Sequence, residues 1–445
     1  MPEVLAKSIE GIVARDGVMA ITYTLPDIKP PPPLPFFYGA DPKVETLTLP
    51  LDGYHLPQPS GVRVRLENFG GERRSDFDNG PALDRAMERL RTSGGIIDVS
   101  GVMYGIKNVH RFHNVHGVSI VGNGPGSGFF SMPNSFDRGR GRWGCIIEYW
   151  GARDCQFRDF EFDLNNQPIG GLYHKDDERT VFAGVWVHDG GGGPDASTMP
   201  LAMIKGSGRS SGLMMVGCLV ERSAGDAGPQ SGVRGYWGPH DRLDNALISN
   251  CIFRGCGHTG MAINPHGAVI VENVTSKGNA GAGMKTEKPN NMPAAGVIPC
   301  NIVASDCEGN GFWPWQIEMA TAVMRSRSVG GAWSSHDEGS FDKEVSDCLL
   351  LECPEAGIWL HHRDPGQGKP NWPFGRFVFR NNTITGDLRR GAIVFGDRFT
   401  RPQDHITIIR NKTSAGVPVK TTREIEEHFG TTIEDNGPQA EGPRT

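Results

Sequence analysis

No apolar run in this chain of 445 residues approaches the ~18 residues a membrane helix requires, because Gly, Pro and charged residues interrupt every hydrophobic stretch. A helical integral membrane protein is excluded. Charge is sparse and nearly balanced, with Lys+Arg 45 against Asp+Glu 51 and a net charge of -6, so there is no basic stripe to follow a phosphate backbone. Nucleic acid is not an expected partner. Met1 to Thr24 lack a basic end followed by a continuous apolar stretch and a small-residue cleavage site. The localisation is therefore open between cytoplasmic, virion-associated and trimmed secreted protein. Cysteine is scarce and odd in number: nine residues, no CxxC pair and no Cys/His spacing suited to zinc. Reduced, buried thiols are expected, and no metal. P-loop, GxGxxG and calcium-loop patterns are also missing, so no cofactor is expected.

What the chain has in excess is glycine, 61 residues, with 32 prolines. Apolar residues make up 37% and are spread along the whole length, which supports a large core rather than disorder. Residues 1–60 stand apart, because Pro30-Pro31-Pro32-Pro33 must be extended; this segment reads as a Pro-rich arm. A helix is expected over Pro81–Thr92, where Asp78 or Asn79 can cap and Leu83, Ala86, Met87 and Leu90 share one face. Gly94-Gly95 ends it.

Beyond that point short β-like runs recur between Gly, Asn and Asp. Ser249-Asn250-Cys251, Glu272-Asn273-Val274, Ser305-Asp306-Cys307, Ser346-Asp347-Cys348, Arg380-Asn381-Asn382 and Arg410-Asn411-Lys412 can be laid under one another. The widest gap, between Asp306 and Asp347, is filled by a rung at Arg327-Ser328, giving a basic coil of about twenty residues. A second strand follows each rung, introduced by a small residue, as in Gly260-Met261, Gly283-Met284 and Gly357-Ile358. The pattern predicts a solenoid domain over residues 61–425, with a tail over 426–445.

Glu67-Asn68-Phe69-Gly70, Ser75-Asp76-Phe77-Asp78-Asn79, the helix, and Gly94-Gly95-Ile96-Ile97-Asp98-Val99 with Met103-Tyr104 resemble the opening of the pectate-lyase-like superfamily. The resemblance spans about residues 62–425. It implies an all-β right-handed parallel β-helix with an N-terminal capping helix and long loops flanking a groove. It also implies a function among polysaccharide lyases, glycoside hydrolases, fructotransferases, uronate epimerases and phage tailspikes, and fold alone does not choose among them.

In such a solenoid equivalent residues stack about 4.8 Å apart and side chains alternate between inside and outside. With Met261, Ile263, Met284, Thr286, Ile358, Leu360, Ile393 and Phe395 inward, one outward row reads His188, Tyr236, Asn264, Glu287, Trp315, His336, His361. The neighbouring row reads Trp186, Arg234, Ala262, Lys285, Trp313, Ser334, Trp359. Aromatic platforms with polar edges suit sugar rings; the alternative is packing beneath the insertions at about 125–143, 189–199, 288–300 and 364–375. Because glycosidic hydrolysis or transfer needs two carboxylates, Glu287 is the expected general acid, flanked by Trp315, with Asp337 or Asp189 as its partner. The competing role for Glu287 is an ion pair with Lys285 or Lys288. A lyase or epimerase would instead use a base and a cation drawn from Arg234, Tyr236, His240, His266 and Lys285. Asn264-Pro265-His266 distantly resembles the "DPHE" stretch of mannuronan epimerases. The expected partner is a polysaccharide or oligosaccharide, bound by an enzyme or by a tailspike-type adhesin, and the arm suggests a homotrimer.

Overall fold

The computed structural model describes residues 62–133, 144–191, 202–223, 232–287, 300–309, 314–317, 322–335, 343–361, 377–395, 406–414, 418–420, 431–434 and 436–438. It also describes the backbone of Ser8–Arg15, Val18–Thr24 and Leu47–Pro50, which pair as an antiparallel sheet inside the expected arm. The polyproline segment lies outside the described residues.

The chain coils through three parallel sheets in a fixed order. One coil places Ala246–Ser249 in sheet 1, Ile252–Arg254 in sheet 2 and Met261–Ile263 in sheet 3; the next stacks Val269–Glu272, Thr275–Lys277 and Met284–Thr286 upon them. The rung expected at Arg327 is present, since Arg327–Val329 pairs with both Asp306–Glu308 and Leu349–Leu351. Thr431–Glu434 and Gly437–Pro438 continue sheets 1 and 2, so pairing runs past residue 425.

The turn from sheet 1 to sheet 2 is a single residue in the left-handed region, as at Asn250 (φ 54), Asn273 (φ 48), Asp347 (φ 54) and Asn381 (φ 55). Asn and Asp tolerate that conformation better than other non-glycine residues, which is why they recur at this place in the sequence. The next residue points inward, and Asn382, Asn411 and Asn436 there form a ladder, each amide nitrogen donating to the following oxygen at 2.9 and 2.8 Å. Cys218 and Cys251 occupy the same position, and all nine cysteines are free and buried, as expected.

The helix runs Gly80–Leu90 and closes the N-terminal end of the coil by burying Ala82, Leu83, Ala86, Met87 and Leu90. The apolar interior continues without a break from Leu66 to Ile408. A continuous core is what lets strands as short as three residues persist, since each rung is stabilised by the two it stacks on.

Candidate functional site

The long connections of the solenoid enter or leave sheet 3, and those spanning 134–143, 192–201, 224–231, 288–299 and 362–376 lie outside the described residues. Register fixes the outer row of this sheet: Arg111, Glu148, Tyr173, Lys205, Trp237, Ala262, Lys285, Gln316, Trp333 and Trp359 occupy successive rungs. That register corrects the sequence reading in two ways.

Tyr236 pairs with Met261 and Trp315 with Met284, so both point into the core and are fully buried. Neither is a platform for a sugar ring. Trp186 and His188 belong to sheet 2, where they pair with Glu161 and Asp163, and Asp189 follows them there. These three are not part of the same face as Lys285. Trp313, His336 and Asp337, and the side chain of His361, lie outside the described residues.

The remaining expected residues do converge. Lys285, on the strand Met284–Thr286, and Glu287, directly after it, have Nζ and Oε1 2.5 Å apart. Ala262 is the smallest side chain of the row, stacks between Trp237 and Lys285, and is fully buried. Arg234 stacks over Trp237, its guanidinium 4.2 Å from the ring centroid. Asn264, buried, directly follows the strand on the Ala262 rung, and Trp359 lies three rungs beyond Lys285, under the guanidinium of Arg390 at 4.6 Å.

Further residues surround this centre or continue the row. His240 sits edge-on to Trp237 with centroids 4.1 Å apart. His258 accepts the Thr259 backbone N–H at Nδ1, 2.7 Å, which leaves the proton on Nε2 as a donor. Lys205 is buried between Tyr173 and Trp237, 5.5 Å from each ring centroid. Toward the N-terminal end Trp150 lies between the guanidinium of Arg111 and the ammonium of Lys175 at 4.6 and 4.7 Å, while Glu148 is paired to Arg111 at 2.7 Å.

The electrostatics follow from this crowding of cations. Burial works to raise the Glu287 carboxyl, but Lys285, by charge and hydrogen bond, then Arg234 and His240, outweigh it and the net shift is downward. Glu287 is therefore held ionised, the reverse of what a general acid needs. Burial, followed by Arg234 and Lys285, pushes His258 down to about 4. Burial and the Lys205 charge lower His240 as well. Burial pulls Lys205 down to about 8 against the opposing pull of Cys145 and Glu148. Near neutral pH the surroundings of Ala262 thus hold cations, two uncharged imidazoles and one already neutralised carboxylate. The second carboxylate of a hydrolase is not found beside Glu287 among the described residues.

No protein-family model matches the sequence, and no curated protein matches it. Among solved structures the chain is similar to the A-module of the Azotobacter vinelandii mannuronan C-5 epimerase AlgE6, at 12% identity over 85% of this chain and 99% of that one, TM-score 0.55. It is similar to a hyperthermoactive exopolygalacturonase from Thermotoga maritima at 11% identity, 86% and 93% coverage and TM-score 0.52. The catalytic domain of a GH87 alpha-1,3-glucanase matches at 11% identity, 86% and 70% coverage and TM-score 0.56. At such identities the likeness is one of fold: the chain is a right-handed parallel β-helix of the pectate-lyase-like type.

Proposed function

We propose that the protein is a carbohydrate-active enzyme that acts on an acidic, uronate-bearing polysaccharide by proton abstraction, as a lyase or an epimerase. The observation that carries this reading is the grouping of Arg234, Lys285, Lys205 and two uncharged histidines about the Ala262 rung, where Glu287, the carboxylate beside Lys285 among the described residues, is already paired. Elimination and epimerisation of uronates both begin by removing the proton on C5, which is acidified when the adjoining carboxylate is neutralised. Arg234 and Lys285 neutralise that carboxylate. The Nε2–H of His258 donates to the enolate oxygen as it forms, in the manner of an imidazole kept neutral for that task.

His240 takes the C5 proton. Its lowered pKa keeps it unprotonated near neutral pH, and Lys205 is one of the charges that holds it so. The C4–O bond then breaks as the C4–C5 double bond forms, the departing sugar oxygen taking a proton from protonated His240 or water, and an unsaturated uronate results; delivery of a proton from water to the opposite face of C5 gives the epimer instead. Trp150, Trp237 and Trp359 are the stacking positions along the groove. The test is incubation with uronate and neutral polysaccharides in deuterated water. From a uronate polymer an epimerase is expected to leave deuterium at C5, and a lyase to give the ultraviolet absorbance of a 4,5-unsaturated product, whose C5 carries no hydrogen. New reducing ends from a neutral polymer, with no exchange anywhere, would refute this reading in favour of hydrolysis.

A further inference from the structure

The residues that register removes from the groove make a second site. Glu161 and Asp163 lie two apart on the outer face of the sheet 2 strand Glu161–Asp163, and His188 pairs with Asp163 on the next rung. One ligand atom from each of Asp163, His188 and Asp189 lies within 4.8 Å of the others. His188 Nδ1 donates to Asp189 Oδ2 at 2.7 Å. The ring nitrogen left over, Nε2, carries a lone pair, is buried and meets no hydrogen-bond partner; the residue is only 6% exposed. Glu161, 8% exposed, ends likewise in a buried Oε2 without a partner. Two orphaned acceptors so deep beside a third carboxylate cost free energy unless something positive meets them.

We propose that Asp163 and His188 bind a divalent transition ion of the zinc class, with Asp189 as the carboxylate that orients the imidazole and Glu161, two residues from Asp163 on the same face, as the further carboxylate drawn in on binding. A histidine that ligates a metal commonly gives its other N–H to a carboxylate, which is the role Asp189 already plays. Asp189 is held in turn by Arg222 at 2.7 and 3.1 Å, so it is suited to positioning and not to ligation. The Trp186 ring lies against the imidazole, centroids 3.9 Å apart, and fixes its plane. Net charge points the same way: Glu161, Asp163, Asp189 and Glu221 face Arg222 and Arg254, an excess of negative groups. One nitrogen with two carboxylates suits zinc and its neighbours, whereas calcium takes oxygen ligands alone. The proton is the rival occupant. Burial and Asp163 raise the Glu161 carboxyl, and His188 opposes them.

Zinc alone is the probe, titrated calorimetrically into the chelator-treated full chain. One ion per chain is expected, with binding weakened at least about 100-fold in Glu161→Gln and His188→Ala and about 10–100-fold in Asp189→Asn. Equal calcium should not displace it. Zinc-edge X-ray absorption of the wild-type chain needs no variant and guards against misfolded mutants: imidazole nitrogen with carboxylate oxygen is expected. No stoichiometric binding, affinity unchanged in both ligand variants, or a spectrum of thiolate or water ligands would each overturn the site.

Discussion

The substitution Glu287→Gln separates the two chemistries considered for the groove. In the wild type the Lys285–Glu287 pair is close, 2.5 Å, and its side chains are 27% and 22% exposed, between a surface pair and a fully buried one. Exposed pairs contribute about 0–1 kcal/mol, and breaking buried ones costs about 3–5 kcal/mol. The amide of Gln still accepts a hydrogen bond from Lys285, so a loss of about 1–2 kcal/mol in urea unfolding is expected at neutral pH. The sign with pH is fixed. Glu287 has a folded pKa below its ordinary 4.5, so its contribution is present above that value and lost as pH falls through the depressed one. Wild type and variant should converge in stability there. In catalysis Glu287 acts by raising the basicity of His240, so its removal weakens the base without deleting it. Turnover on a uronate polymer should fall by about tenfold or less, against the roughly 10²–10⁴-fold loss that follows removal of a positioned acid. Lys285→Met should be the more damaging change. A loss beyond about a hundredfold in Glu287→Gln with a native circular dichroism spectrum, beside near-normal Lys285→Met, would return Glu287 to the role of acid and refute the reasoning.

Replacing His240 by Ala should lower C5 exchange about 10²–10⁴-fold. The wild-type rate should fall as pH drops through a value below the ordinary histidine 6.5, and Lys205→Met should move that limb upward, since Lys205 is among the charges that lower His240. Trp315→Ala should cost about 3–5 kcal/mol of stability, because it empties core volume, and should leave substrate affinity unchanged in the folded fraction. Trp237→Ala should do the opposite, raising KM with little change in the urea midpoint. We also propose the homotrimer suggested by the N-terminal segment; light scattering that returns the mass of a single chain at micromolar concentration would exclude it.

Much of the architecture was legible because a solenoid repeats its constraints. The left-handed turn between sheets 1 and 2 admits few residue types, so Asn250, Asn273, Asp347 and Asn381 mark it in the sequence itself. The inward residues Met261, Met284, Ile358 and Ile393 were equally plain, since a buried row must be apolar on every rung and all four are in the core. Even the hidden rung at Arg327 followed from the coil length. The ladder slipped where no such constraint acts: the left-handed residues next to Ser305 and Asn411 are Ala304 and Arg410, which sequence reading does not single out.

The groove was less legible for a geometric reason. Its strands follow connections of unequal length, so counting from the previous rung does not fix their register, and a slip of a single residue exchanges inside for outside. The useful signal was the glycine immediately before the strand. Gly235-Tyr236 and Gly331-Ala332 align with Gly260-Met261, whereas the outward row drawn from the sequence holds Tyr236, one residue out of register. With the correct choice Tyr236 turns inward and Trp237 outward. Gly184 misled differently: at φ 61 it occupies the turn between sheets 1 and 2, the place of Asn250, so Trp186 and His188 begin a sheet 2 strand. His240 was a candidate base from the sequence, but His258 stands beyond the strand ends, where no period exists to announce it, and only the fold brings it to Lys285. The same displacement explains the proposed metal ligands. Asp163 and His188 are a full coil apart in sequence and adjacent in space, a spacing that no short zinc pattern contains, so a site there can be seen only once the rungs are stacked.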